Sequence, residues 1–152
     1  MDAVLFIGLQ GSGKSSYYQR QFSATHARIN LDLLKTRPRE LQFLNSLLVE
    51  NKPFVVDNTN VTIEQRLRYI VPAKAAGYKV FGYFFNVPIK TCLERNHLRS
   101  GKEKVPVPGI YGARKRLQLP SLAEGFDALF TVELTDTVDF RVLDWPPGSL
   151  LI

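Results

Sequence analysis

The sequence feature that most constrains the fold of this chain is the segment Gly8-Leu9-Gln10-Gly11-Ser12-Gly13-Lys14-Ser15. Its spacing is that of a phosphate-binding loop, in which glycines let successive backbone N–H groups point at phosphate oxygens. An apolar run at residues 3–7 precedes the loop, and residues 14–22 predict a helix whose dipole adds positive potential. We therefore predict a nucleoside triphosphate site that binds ATP or GTP together with Mg²⁺.

Particular residues of this loop have expected roles. Lys14 is expected to reach the β and γ phosphates, and the Ser15 hydroxyl is expected to ligate Mg²⁺. Lys14 is also predicted to act in catalysis, because it would neutralise charge on the transferred phosphoryl group. The predicted nucleotide-binding residues at the loop and the helix start are Gly11, Ser12, Gly13, Lys14, Ser15 and Ser16.

Short apolar runs and amphipathic stretches alternate along the rest of the chain, and predict strands and helices in turn. Further strands are predicted at residues 27–30, 54–56, 78–85 and 126–134. The alternation indicates an α/β chain with the P-loop NTPase fold: three α/β/α layers, a mostly parallel five-stranded sheet and a basic lid. The 152 residues fit one domain, with the lid at about residues 95–108 and a C-terminal extension at about 135–152. Pro72 is expected to kink or interrupt its helix.

The chain has a formal net charge of +6, and much of its positive charge lies in one segment. Between residues 95 and 116, Glu103 is the only acid among the basic residues Arg95, Arg99, Lys102, Lys104, Arg114, Lys115 and Arg116. Such a segment is either a solvated helical face or a surface for a polyanionic partner. Its spacing leaves both interpretations open.

Other features of the sequence bear on where the protein works. No apolar run approaches the roughly 20 residues that span a bilayer, and we expect no signal peptide before the first strand. The single cysteine, Cys92, cannot form an internal disulfide and is interpreted as a core residue. His26 and His97 lack cysteine partners at metal-ligand spacing. We expect a cytoplasmic protein with no membrane partner and no zinc site.

Two acids follow predicted strands, at the end of the sheet where parallel α/β proteins bind ligands. Asp32 lies two residues beyond Asn30, and is either a base that accepts a proton from an alcohol or a helix cap. Asp57 ends an apolar strand, and is predicted to orient metal-bound water or to support the site. Asp57 also fits an Asx-type turn, and its two interpretations are compatible.

Arg95 and Arg99 are one helical turn apart, so both side chains can face the same side at the end of a predicted helix. A lid that closes over the nucleotide and supplies guanidinium groups to the γ-phosphate has this pattern. The helix dipole alone also favours cations at a helix C-terminus, and the spacing does not separate the two interpretations.

Several motifs follow one another between Val4 and about Val132. They are the loop at residues 8–15, Asn30-Leu31-Asp32, Asp57-Asn58-Thr59-Asn60 followed by Arg66 and Arg68, Glu94-Arg95-Asn96, Tyr111-Gly112-Ala113-Arg114-Lys115, and Pro120-Ser121-Leu122-Ala123-Glu124-Gly125-Phe126. In this order they resemble the kinase module of the polynucleotide 5′-hydroxyl kinases and the small bacterial predicted kinases related to it. The last motif is characteristic of this group, including its DNA-repair members, although its spacing has no phosphate-binding logic.

The resemblance implies roles for individual residues. Asp32 matches the general base that activates the 5′-hydroxyl group, and Lys35 lies where the family commonly has an arginine near the acceptor phosphate. Arg99 matches a lid arginine that contacts the ATP phosphates, with Arg95 assisting it. The resemblance thus implies Lys14, Asp32 and Arg99 as catalytic residues, and an acceptor-binding set of Lys35, Asp57, Thr59, Asn60 and Arg66.

The activity that the resemblance implies is ATP- and Mg-dependent transfer of the γ-phosphate to a 5′-hydroxyl end of DNA or RNA. Two departures affect the acceptor side: Leu31 stands where the family usually has arginine, and Lys35 lacks the bidentate reach of arginine. An alternative is therefore a P-loop kinase of a nucleoside, a sugar or another small alcohol. An alternative of another class is a nucleotide-binding switch without a phosphoryl acceptor.

Overall fold

A computed structural model of the protein describes residues 1–137 and 139–152, with the side chain of Lys102 also left out. The strands lie in the order β2-β3-β1-β4-β5-β6, with neighbours from β2 to β5 parallel and β6 antiparallel to β5. The carboxyl ends of β1, β2 and β3 therefore meet at one end of the sheet. The strand bounds are β1 Asp2–Ile7, β2 Ala27–Ile29, β3 Phe54–Val56, β4 Lys79–Phe85, β5 Ala128–Leu134 and β6 Phe140–Asp144.

In the described part of the chain, six α-helices lie between the strands from β1 to β5, and short 3-10 helices lie at Gly101–Glu103 and Leu122–Glu124. Pro72 does not interrupt its helix, because buried Tyr69, Ile70 and Ala73 pack into the core on both sides of the proline. Among the residues that the structure describes, no helix combines the length and hydrophobicity that a bilayer crossing needs. The helix bounds are α1 Lys14–Gln21, α2 Leu31–Leu34, α3 Arg37–Val49, α4 Ile63–Ala75, α5 Ile89–His97 and α6 Val107–Arg116.

Side chains of β1 point alternately to the two faces of the sheet, and helices cover both faces. Leu5 and Ile7 belong to one buried cluster, to which α3 and α4 contribute. Phe6 belongs to the other cluster, to which α1, α5 and α6 contribute. Cys92 of α5 is fully buried in this second cluster, as its interpretation as a core residue predicts. The three-layer α/β/α arrangement is thereby confirmed.

The segment after β5 differs from the expected five-stranded sheet. It turns back as β6 and adds a sixth, antiparallel strand at the edge. Trp145 follows β6 and packs its ring against Phe84, with 5.4 Å between ring centroids. Asn86 fastens the chain end, because its Oδ1 accepts a hydrogen bond from Leu151 N at 2.7 Å. The residues of β6 are mostly exposed, so its sequence has no buried apolar run to identify it.

Candidate active site

The loop between β1 and α1 has a conformation that requires glycine at two positions. Gly11 has φ +81°, and a Cβ atom there would lie 2.4 Å from the carbonyl oxygen of Cys92 in α5. Gly13 has φ +99° and directly precedes α1. Gly8 N donates to Thr59 O at 3.0 Å, which ties the loop to the segment after β3. Together with the N-terminus of α1, this loop forms a cradle for phosphate groups.

Lys14 begins α1 and is buried, with only 8% of its surface exposed. Its Nζ donates to the carbonyl oxygens of Gly8 at 3.0 Å and Leu9 at 2.7 Å, within its own loop. Burial lowers the pKa of Lys14 to about 8, and the nearby carboxylate of Asp57 opposes this change. Phosphate oxygens placed at the loop would therefore stabilise the charged form of this side chain.

Ser15, Asp57 and Arg28 form a hydrogen-bonded triangle beside the loop. The Ser15 hydroxyl donates to Asp57 Oδ2 at 3.2 Å. From β2, Arg28 donates through Nη2 to Ser15 Oγ at 2.8 Å and through Nε to Asp57 Oδ2 at 2.8 Å. Asp57 thus lies on the nucleotide side of the site, beside the residue predicted to ligate Mg²⁺. Its contact with an acceptor, which the resemblance implies, stays a prediction.

Asp32 lies exposed in the first turn of the short helix α2. The cap of this helix is Asn30, whose Oδ1 accepts from Leu33 N at 3.1 Å and whose Nδ2 donates to Asp57 O at 2.7 Å. The interpretation of Asp32 as a helix cap is therefore wrong, because Asn30 has that role. The Asp32 carboxylate is instead available to a ligand.

A cavity of about 850 Å³ contains both the loop and Asp32. Ser15, Ser16 and Asp57 line it close to the loop. Thr59 and Asn60 line it as well, although the Asn60 amide already donates to Phe6 O at 2.8 Å. The cations that line the cavity are Lys14, Arg28, Arg37, Arg68, Arg95 and Arg99. The structure therefore brings most of the predicted donor and acceptor residues to one site.

The segment between α5 and α6, which belongs to the predicted lid, lies beside this cavity, and its closure over a nucleotide stays a prediction. Arg95 and Arg99 line the cavity, and their contact with ATP stays a prediction. Within residues 1–137 and 139–152, the buried Nε of Arg95 has no hydrogen-bond partner. Asn96 fastens this segment at the base of the predicted lid, since its Nδ2 donates to Val105 O at 2.8 Å and its Oδ1 accepts from Val105 N at 2.9 Å.

The basic segment divides into two parts in the structure. Arg95 and Arg99 line the cavity, whereas the cluster at the end of α6 is exposed to solvent away from it. The Lys102 side chain lies outside the described part of the chain. The exposed α6 cluster, which consists of Arg114, Lys115 and Arg116, remains compatible with a solvated face and with a surface for a polyanionic partner.

Two predicted acceptor-binding residues do not reach the cavity. Lys35 is exposed just after α2 and is not among the lining residues. Arg66 is fully buried and donates to Glu124 through Nε at 2.6 Å and Nη2 at 3.1 Å. Its Nη1 donates to Asn60 O at 2.9 Å, which completes its hydrogen bonds inside the protein. The prediction that Arg66 binds the acceptor is therefore wrong in this structure, because Glu124 holds its guanidinium group in the core.

The partner of Arg66 explains the motif at residues 120–126, for which the sequence offered no phosphate contact. Glu124 Oε2 also accepts from Ser121 N at 2.8 Å, within a capping box that starts the 3-10 helix. Gly125 follows with φ +118°, and a Cβ atom there would lie 2.7 Å from Ile70 of α4. The motif therefore fixes this turn against α4 and has a structural role.

Three arginines of the cavity are absent from the predicted site, namely Arg28, Arg37 and Arg68. Arg28 interrupts the apolar pattern of the short strand β2, and this interruption is visible in the sequence. Arg68 belongs to the motif that starts at Asp57, but the sequence did not indicate that its side chain lines the cavity. Arg37 begins α3 and pairs with Glu40 one turn along the same helix, but its contact with Tyr69 of α4 is set by the fold and is not visible in the local sequence.

The described residues include no group of three or more His, Cys, Asp or Glu side chains that could hold a metal ion. His26 instead has its Nε2 3.0 Å from Asp2 Oδ1. Mg²⁺ in P-loop proteins depends on few protein ligands, because the substrate phosphates and water supply the others. The Ser15 hydroxyl and the Asp57 carboxylate form an oxygen pair of this kind.

Comparison with known proteins gives one family match and two curated relatives of interest. A model of the AAA domain family matches residues 36–120, more than half of the chain. A bifunctional polynucleotide phosphatase/kinase of Schizosaccharomyces pombe is 29% identical over 142 residues, which cover 82% of this chain and 32% of that protein. An Acanthamoeba polyphaga mimivirus protein, named for the same two activities, is 30% identical over 152 residues, covering 95% and 36% of the two chains. This chain thus spans about a third of these relatives.

Solved structures share the fold at lower identity. A gluconokinase from Sinorhizobium meliloti 1021 superposes with a TM-score of 0.60 at 18% identity, covering 87% of this chain and 82% of that one. The fold is therefore that of the P-loop kinases, as the sequence predicts. At this level of identity the likeness does not extend to the substrate.

Proposed function

This chain belongs to the AAA domain family and has the P-loop kinase fold, and from that premise we propose that it is an ATP- and Mg-dependent polynucleotide 5′-hydroxyl kinase. The observation that carries the proposal is the single cavity that contains both the phosphate-binding loop and the exposed Asp32. The kinase activity in the names of the two curated relatives supports a polynucleotide acceptor.

The nucleotide would be held by cations from two sides of the cavity. Lys14 and the loop backbone would bind the β and γ phosphates, and Arg95 and Arg99 would reach them from the lid. Ser15 Oγ and Asp57 Oδ2 fit Mg²⁺ as hard oxygen ligands, and the Asp57 carboxylate already binds a cationic group at that position. When bound, the ion would neutralise negative charge on the nucleotide phosphates.

Asp32 would accept the proton of the 5′-hydroxyl group as the hydroxyl oxygen attacks the γ-phosphorus in line. The bond between the γ-phosphorus and the bridging oxygen breaks, and ADP leaves with that oxygen. Asp57 does not suit this role, because Ser15 and Arg28 both donate to its Oδ2. The exposed position of Asp32 therefore supports its assignment as the general base.

Two arginines favour an acceptor that carries phosphate. Arg37 and Arg68 both line the cavity. Arg37 Nη1 donates to Glu40 Oε1 at 2.9 Å and to Tyr69 OH at 3.1 Å, which holds its guanidinium group in a fixed position. An oligonucleotide has phosphates close to its 5′-hydroxyl group, whereas a nucleoside or a neutral sugar has none.

The proposal is tested by transfer from γ-labelled ATP, in the presence of Mg²⁺, to separate acceptors. These are 5′-hydroxyl DNA, 5′-hydroxyl RNA, 5′-phosphorylated DNA as the matched control, nucleosides and sugars. We expect label on 5′-hydroxyl oligonucleotides and none on the control. Label on a small alcohol and on no oligonucleotide would overturn the proposal. ATP binding without transfer to any acceptor would support the nucleotide-binding switch instead.

A kinase of a small alcohol is the second candidate, because Leu31 gives the cavity an apolar side chain where the resembling family usually has arginine. The gluconokinase with the same fold is named for such an acceptor. Ionic strength separates the two candidates. Affinity for an oligonucleotide falls steeply with salt concentration, whereas affinity for an uncharged alcohol changes little.

A further inference from the structure

Arg28 of β2 lies where the proposed function places a metal ion. Its Nη2 is 2.8 Å from Ser15 Oγ and 2.7 Å from Asp57 Oδ2, and its Nε is 2.8 Å from the same Oδ2. The two oxygens are themselves 3.2 Å apart. The guanidinium group therefore bridges the pair of oxygens that a divalent cation would share.

The burial of Asp57 explains why a cation belongs at this position. Its side chain is 2% exposed, and a buried carboxylate without a counter-charge is strongly unfavourable. The Arg28 side chain is 21% exposed, and its Cζ lies 5.5 Å from the ring centroid of Tyr18. Arg28 also lines the cavity, so its guanidinium group has space to move away from Ser15. The pair therefore combines a fixed anion with a movable cation.

A metal ion and this guanidinium group exclude each other at Ser15. Mg²⁺ binds its oxygen ligands at about 2.1 Å. An ion that binds both Ser15 Oγ and Asp57 Oδ2 would therefore come close to contact with the Nη2 atom, which lies 2.8 Å and 2.7 Å from the same two oxygens. Two positive charges at contact distance repel each other, so Arg28 has to release Ser15 before the ion binds.

We propose that Arg28 is a built-in cation that occupies the metal position of the metal-free protein and is displaced from Ser15 when Mg²⁺ binds with the nucleotide. This inference rests on the proposed function only for the assignment of Mg²⁺ to Ser15 and Asp57. Two consequences follow. ATP binds in the absence of metal, because Arg28 supplies part of the positive charge, and Mg²⁺ has to compete with Arg28 for its ligands.

The test is the dissociation constant of a non-hydrolysable ATP analogue, measured by calorimetry once in EDTA and once in Mg²⁺. The constant in EDTA is divided by the constant in Mg²⁺, and this ratio is compared between the unaltered protein and Arg28→Met. The substitution removes the charge and keeps an extended side chain. We expect the ratio to rise about tenfold or more, the size of one charge-assisted contact. Without Arg28, metal-free binding weakens and Mg²⁺ loses its competitor, and both effects increase the ratio.

Arg20→Met is the matched control. Arg20 lies on α1, is half exposed and pairs with Asp139, so the substitution removes the same charge away from Ser15 and Asp57. We expect it to leave the ratio unchanged. A ratio for Arg28→Met within twofold of the unaltered protein would overturn the proposal and leave Arg28 as a structural partner of Asp57.

Loss of the Asp57 counter-charge can prevent Arg28→Met from folding. In that case Arg28→Lys is measured in the same way, because lysine keeps the charge but cannot bridge both oxygens. A smaller rise in the ratio is expected, and no rise contradicts the proposal. The titrations contain no acceptor, so their outcome is independent of whether phosphoryl transfer to an oligonucleotide is observed.

Discussion

At the scale of single residues, the two acids beside the strand ends have different surroundings and therefore different expected effects. Asp32→Asn keeps the shape of an exposed side chain and removes its ability to accept a proton. We predict that phosphoryl transfer falls by about 10²-fold or more while ATP affinity stays within about twofold. Single-turnover transfer and equilibrium binding measure the two effects.

Asp57→Asn provides the comparison for this prediction. Because Asp57 contacts Ser15 and Arg28, its substitution should weaken nucleotide binding in Mg²⁺. Unchanged transfer in Asp32→Asn would remove Asp32 as the general base.

Lys14 gives a second prediction, on pH dependence. Burial lowers its pKa from 10.5 to about 8, so the nucleotide-free protein loses this proton between pH 8 and 10.5 more readily than the unfolded chain does. A bound triphosphate favours the charged form, so nucleotide binding at pH 9 should take up a proton, and affinity should fall as the pH rises above about 8. Calorimetry in buffers of different ionisation enthalpy measures the uptake, with pH 7 as the control. Equal heats in all buffers at pH 9 would contradict it.

The same pKa fixes the sign of a stability effect. Between pH 8 and 10.5 the unfolded chain binds more protons than the folded, nucleotide-free protein at Lys14. The contribution of Lys14 to the free energy of unfolding therefore rises with pH over that interval. Below about pH 8 Lys14 is charged in both the folded and the unfolded protein, so burial of its ammonium group lowers the free energy of unfolding by the full amount.

A third prediction concerns the buried ion pair of Arg66 and Glu124. Glu124→Gln removes the charge that compensates a fully buried guanidinium group. We expect the free energy of unfolding to fall by about 3–5 kcal/mol, as for other broken buried pairs. Glu64→Gln on the exposed face of α4 is the control, and it should have little effect in the same urea titration. A loss below about 1 kcal/mol for Glu124→Gln would mean that Arg66 finds another partner.

At the scale of elements, the base of the lid depends on one side chain. Asn96 makes two hydrogen bonds to the backbone of Val105, and its removal frees the segment between α5 and α6 at one end. We predict that Asn96→Ala accelerates amide hydrogen exchange across residues 98–105 and weakens ATP binding several-fold, because Arg95 and Arg99 are then less ordered. Exchange in α3, on the other face of the sheet, should not change. Faster exchange throughout the chain would indicate global destabilisation instead.

The elements that local sequence determines were predictable, and those set by distant contacts were not. Strands β1 to β5 agree with the predicted ranges to within two residues, because most residues of each strand are apolar, although Arg28 interrupts β2. β6 was missed because it lies at the sheet edge and is mostly exposed. Arg66 was misassigned because its partner Glu124 is 58 residues away along the chain. Arg28 was missed because Ser15 and Asp57 reach it from two other segments.

At the scale of the whole molecule, the arginines at the cavity predict the response to salt. If Arg37 and Arg68 each contact an acceptor phosphate, the binding constant for a single-stranded oligonucleotide should fall as the salt concentration rises. In a plot of the logarithm of this constant against the logarithm of the salt concentration, these two residues should contribute a slope of about −1.4. Arg68→Ala should reduce the magnitude of the measured slope by about 0.7. Lys115→Ala, in the exposed cluster of α6, should leave it nearly unchanged. An effect of Lys115→Ala without one of Arg68→Ala would show that the nucleic acid contacts the α6 surface instead.

The burial of Cys92 makes this protein suitable for selective chemical labelling. It is the single cysteine of the chain, it is fully buried, and desolvation raises the pKa of its thiol to about 11. A maleimide dye reacts with thiolates, so at neutral pH it should leave Cys92 unmodified. A cysteine introduced at exposed His97, at the end of α5, would then carry the only dye on the molecule. Its emission would follow the position of the lid during nucleotide binding, without prior removal of the natural cysteine.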